Sequence, residues 1–77
     1  MNTMSAVREI MKLQEVKPST LCDRLGIKSN VLSERFKQEN ISITKLNEML
    51  KAMDYKIILV PRNTRLPENS FEVGTDV

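Results

Sequence analysis

Two short apolar repeats on either side of a glycine constrain this chain more than any other feature. Leu21 and Leu25 recur four residues apart, Gly26 follows at once, and Leu32 and Phe36 recur four residues apart beyond it. Side chains at that spacing share a helix face, so each pair marks a short helix with one narrow buried stripe. Pro18 suits the first position of the first helix, where its missing N–H would be unpaired anyway. A glycine directly after a helix takes the left-handed conformation that ends it. Cys22 is small where two helices must cross closely, and Ile27 fills the corner. The expectation is a helix over 18–25, a tight turn, and a helix over 29–38.

The flanking sequence supplies the rest of a small helical domain. Ala6, Val7, Ile10, Met11 and Leu13 share one face of a first helix over 5–14, with Ser5 as its N-cap. Gln14 falls inside that apolar arc, and its amide is expected to be satisfied by nearby backbone. Ile43, Leu46, Met49, Leu50 and Met53 define a helix over 43–53. Ser42 caps it, and Ile41 stands where it can staple against Leu46. The period then changes. Tyr55-Lys56-Ile57-Ile58-Leu59-Val60 is β-branched and aromatic and ends at Pro61, which reads as one strand. A lone strand leaves its backbone groups unpaired. The expected solution is antiparallel pairing of Lys56, Ile57, Ile58, Leu59 and Val60 with the same residues of a second copy. The alternative is a strand folded onto its own domain, against the tail. The expected organisation is a domain over 1–61 and an acidic, flexible tail over 62–77. The fold class is mainly α, four helices with one C-terminal β-strand.

Composition narrows the chemistry. A 77-residue chain buries only about 60% of its unfolded surface and is marginal alone. One Cys excludes an internal disulfide, and one Cys with no His offers no structural zinc site. Tight helix packing and self-association remain. Without His there is no imidazole base or His-based triad. The two glycines form no phosphate-cradling pattern. The expectation is therefore a protein that is not an enzyme and holds no cofactor or metal. The longest apolar run, Ile57 to Val60, is far too short to span a bilayer. Residues 1–16 are amphipathic rather than continuously apolar, unlike a signal peptide. A soluble, cytoplasmic protein with no membrane partner is expected. Residues 17–62 carry nine Lys or Arg against five acids, and residues 63–77 carry one Arg against three acids. The middle is basic and the tail acidic.

The unit from Val16 to Phe36 has the spacing of a helix-turn-helix, whose second helix presents a polar face suited to a major groove. Val16, Leu21-Cys22, Leu25-Gly26-Ile27 and Leu32 resemble the Cro and repressor type of regulators, the Xre family of bacteria and their phages. The stretch from Leu32 to Lys37, Asn40-Ile41-Ser42-Ile43, Leu46 to Leu50 and Asp54 to Ile57 is similar to small members that end in a single strand. The resemblance covers residues 5–61. It implies a homodimeric repressor of transcription acting on an inverted-repeat operator. Two positions depart from the pattern. Pro18 stands where many members carry a polar residue, often Gln, that touches phosphate, and Lys28 stands where a Ser or Thr N-cap is usual.

By position, Ser29, Asn30, Ser33, Glu34 and Lys37 face the groove and are the expected base-reading set. An amide such as Asn30 pairs with adenine through two hydrogen bonds, and Glu34 accepts from cytosine or orients a basic neighbour. Lys17, Ser19, Thr20, Lys28 and Lys45 lie at helix starts, where backbone N–H groups favour phosphate. Arg35 lies off that face, for pairing with Glu39 or for a phosphate. The competing reading is a protein-binding module on the same fold: an antitoxin, or a phage inhibitor of a host defence nuclease, that also represses its own operon. Its partner would use the tail, where Leu66, Phe71 and Val73 have no assigned core. A purely structural dimerisation module is the third reading. The blander expectations are that Cys22, Met11, Met49 and Met53 are core, and that the polar helix face is ordinary solvated surface.

Overall fold

In the computed structural model, which describes residues 1–38 and 40–74, four helices follow one another: α1 (Thr3–Gln14), α2 (Pro18–Leu25), α3 (Ser29–Lys37) and α4 (Ile43–Lys51). α1 starts two residues before the position expected from Ser5. The Asn2 Oδ1 accepts from the Ser5 N–H at 2.8 Å, so Asn2 is the cap and Ser5 sits within the first turn. The earlier start adds Met4 to the buried face with Ala6, Val7, Ile10 and Met11. With about 100° per residue, that arc turns towards Met4 and Met11 and leaves Leu13 beyond its edge. Leu13 is accordingly 53% exposed, a correction to its expected core role. Gln14 does find a backbone partner: its Nε2 donates to the Met53 carbonyl at 2.8 Å and ties α1 to the end of α4.

α1 stops without a glycine. Glu15 takes the left-handed conformation (φ 55°), and the Val16 N–H donates to the Met11 carbonyl at 2.9 Å. α2 has the expected bounds. Gly26 follows it with φ 67°, and the Ile27 N–H donates to the Cys22 carbonyl at 3.1 Å. α3 begins three residues after Gly26 and ends at Lys37, one residue earlier than expected. α4 also starts as expected, with the Ser42 Oγ accepting from the Lys45 N–H at 3.2 Å. It ends at Lys51 rather than 53. A turn with Asp54 at φ 58° follows, and Met53 stays buried from within that turn. Ile43 lies in the apolar arc by angle but is 68% exposed, while Ile41 packs against the core. An angle on a wheel does not say how far along the axis the facing helices reach.

The core joins Met4, Val7, Ile10 and Met11 of α1 with Leu21 and Cys22 of α2, Leu32 of α3, and Leu46, Met49 and Leu50 of α4. α2 lies in the middle and packs against both α3 and α4. Leu21 and Met49 are fully enclosed, and Cys22 and Met11 are buried as expected for core residues. Among the described residues no polar or charged residue is buried and no helix is long and apolar enough to cross a membrane.

Beyond α4 the expected strand is absent: among the described residues there is none. A strand is defined by a ladder, and the described residues supply no second strand to make one. The segment after 61 instead returns to the domain. The Tyr55 hydroxyl donates to the Asn69 carbonyl at 3.0 Å, and the Tyr55 and Phe71 rings lie 6.5 Å apart. The Gly74 N–H donates to the Met1 carbonyl at 3.1 Å. Phe71, expected to have no core, packs against it beside Tyr55. Its seat was hidden in sequence because its ring partner, Tyr55, lies far back along the chain.

Candidate nucleic-acid interface

α3 is held by one edge. Leu32 is buried and Phe36 half-buried, and every other residue of the helix except Arg35 is exposed. On the helix wheel Asn30, Glu34 and Lys37 lie farthest from Leu32, at about 140–200°. Ser33 stands at about 100° and Ser29 at about 60°, on the Phe36 side. The five expected base-reading side chains are therefore all accessible but do not form one flat row. Asn30, Glu34 and Lys37 crown the helix. Ser29 and Ser33 instead line a groove of about 380 Å³ with Arg8, Met11, Pro18, Cys22, Leu32 and Phe36. Glu34 Oε1 and Lys37 Nζ approach to 3.5 Å with both side chains exposed. Such a pair contributes about 0.3–0.5 kcal/mol and exchanges readily for a better partner.

The starts of α2 and α3 differ from those of their neighbours. Asn2 caps α1 and Ser42 caps α4 through side-chain oxygens, whereas Lys17 before α2 and Lys28 before α3 make no side-chain cap bond. Uncapped first-turn N–H groups carry the positive end of the helix dipole, and a lysine beside each adds a full charge. Lys17, Ser19 and Lys28 are exposed there and Thr20 is half-buried. Lys45 is placed differently. Its backbone N–H is already taken by Ser42, so only its exposed side chain is available to a phosphate.

Three arginines behave in ways that their sequence positions did not reveal. Arg35 lies on the far flank of α3, and its Nη1 stands 3.5 Å from Glu48 Oε2 of α4. Its side chain is only 13% exposed, so it links α3 to α4 rather than facing a phosphate; Glu39, its expected partner, lies outside the described residues. Arg24 Nη1 donates to the Ala52 carbonyl at 3.1 Å, closing the C-terminal end of α4. Arg8, which is not one of the residues of the apolar face expected for α1, sits over the Phe36 ring with its Cζ 5.0 Å from the centroid.

No family model, curated protein or solved structure matches this chain. What the surface can do follows from its own chemistry. The Asn30 amide offers donors and an acceptor side by side, the serines offer either, Lys37 donates and Glu34 accepts. Those are the groups that distinguish base pairs along a major-groove edge. The segment 56–60 is a separate surface. Its residues are all exposed, Leu59 by 97%, and none makes a backbone–backbone hydrogen bond among the described residues.

Proposed function

We propose that the chain is a sequence-specific double-stranded DNA-binding repressor of transcription, working in the cytoplasm as a homodimer and without catalysis or cofactor. The observation that carries this reading is α3. Nine residues long, it is anchored by Leu32 and Phe36 after the left-handed turn at Gly26, and it holds Asn30, Glu34 and Lys37 clear of the domain with Ser33 exposed beside them at the groove. A helix gripped along one edge with donors and acceptors along the other is shaped to enter a major groove. The uncapped, lysine-flanked starts of α2 and α3 support phosphate contacts on either side of it. The four apolar side chains at 57–60, together with a backbone that has no partner among the described residues, support antiparallel pairing with a second copy. Two α3 helices would then enter successive major grooves about 34 Å apart.

The test is titration of the full chain onto mixed-sequence duplex over a salt series. Each phosphate neutralised steepens the logarithmic salt slope by about 0.9. The expected result is a loss of orders of magnitude between about 50 and about 200 mM salt. A flat response would reject this function in favour of a protein partner. That partner would have to do without Phe71, which lies against the core, leaving Leu66 and Val73 of the expected tail surface.

A further inference from the structure

Arg8 is the one cation of α1 that borders the polar face of α3, and it is held there by an aromatic ring. Its guanidinium lies over Phe36, 5.0 Å from the centroid. Among the described residues it makes no ion pair and no hydrogen bond; its neighbour Glu9 faces Lys12 instead, at 4.0 Å. A cation over a ring face spends none of its N–H donors on the ring, so the guanidinium fork keeps them for another partner. The same groove that holds Arg8 is rimmed by Ser29 and Ser33 of α3 and by Pro18 at the start of α2. A cation with unused donors, two hydroxyls and an apolar floor therefore converge beside the helix that is proposed to read bases. The apolar floor of Met11, Leu32 and Phe36 suits the carbon skeleton of a sugar, and the arginine suits the oxygens of a phosphodiester.

We infer that Arg8 is a DNA-backbone contact supplied from outside the α2–α3 unit, with Phe36 as its positioning residue; this rests on the DNA-binding reading above. The ring fixes the fork before binding, so less side-chain freedom is lost when the phosphate arrives. Arg8 then adds affinity for every duplex alike and sets how deep α3 sits, without selecting sequence.

The test compares full-length Arg8→Ala, Arg8→Lys, Phe36→Leu and Lys51→Ala chains with the unaltered protein, on mixed-sequence duplex over a salt series. Lys51 is an exposed cation at the end of α4, beside Arg24 and Glu48, and serves as the control for net charge. Arg8→Ala is expected to lower the salt slope by about 0.9 for each phosphate that is no longer neutralised, which is twice that in a two-fold dimer. Sequence preference should be unchanged. Arg8→Lys should restore the slope, because the charge returns, while leaving affinity lower than that of the unaltered chain because the fork does not. Phe36→Leu, scored only if its thermal unfolding stays cooperative, should weaken affinity while keeping the slope; Arg8→Ala carries the test where it does not. Lys51→Ala should change neither. If the unaltered chain binds duplex with a steep slope and Arg8→Ala matches it, or if Lys51→Ala falls as far as Arg8→Ala, this inference is wrong and the DNA-binding reading stands. If the unaltered chain binds no duplex, both fail.

Discussion

Glu15 and Gly26 hold the same left-handed conformation at the ends of successive helices, with φ 55° and 67°, and they do so at unequal strain. A side chain in that region costs about 1–2 kcal/mol, whereas glycine adopts it freely. A Cβ added at Gly26 would meet nothing within 4 Å. Gly26→Ala is therefore expected to destabilise by about 1 kcal/mol through backbone strain alone. Glu15→Gly is expected to stabilise by about 0.5–1 kcal/mol, the relief being partly offset by the greater freedom of glycine when unfolded. In a domain of this size about 1 kcal/mol moves the Tm by about 4–8 °C, so thermal melts of both variants check the pair. A Tm for Glu15→Gly below that of the unaltered chain would contradict the strain argument. Gly26 announced its turn because glycine is the residue such a turn selects. Glu15 gave no signal, because the direction in which α1 must hand over to α2 is set by packing. Arg8 and Arg35 were equally opaque: both are polar residues on polar stretches, and only the neighbouring helices decide that one meets Phe36 and the other Glu48.

Helix starts were readable wherever a cap was not contested. Ser42 had no rival and α4 begins where it says, but Ser5 had Asn2 three residues upstream, and the longer helix buries Met4. Asn2→Ala should then cost about 1 kcal/mol, as loss of an N-cap does, while Ser5→Ala stays within about 0.5 kcal/mol. Denaturant melts of the two variants distinguish the caps, and a larger loss for Ser5→Ala would restore the shorter helix. The element the sequence described least well is 56–60. Its composition is that of a strand, yet a strand exists only with a neighbour, and the chain's later residues pair Tyr55 with Asn69 and Phe71 instead of forming a ladder. The proposed pairing between copies would account for both facts. Ile58→Pro removes a ladder donor, so it should convert a dimer into a monomer with its helix content intact. Sedimentation at high micromolar concentration reads this directly, and an unaltered chain that sediments as a monomer there contradicts the dimer.

At the scale of the whole molecule, the buried apolar side chains of the described residues form one core and leave two surfaces that the core does not explain: the polar crown of α3 and the apolar run at 57–60. In the proposed dimer the two work together, the run pairing two copies and the crowns reading two half-sites. Asn30 sits on the crown with no role in the core, so Asn30→Ala should leave folding unchanged and relax sequence preference at one symmetric pair of positions, by about 1–3 kcal/mol of discrimination. Lys17→Ala, at the uncapped start of α2, should weaken all sequences about equally. The most direct measurement is selection of bound duplexes from a random pool by the unaltered chain, with Asn30→Ala run beside it. The expected result is an enriched inverted repeat whose half-site centres lie about one helical turn apart, with one pair of positions missing from it in Asn30→Ala. A pool that emerges unenriched, or the same site selected equally well by Asn30→Ala, would contradict the claim that α3 reads DNA.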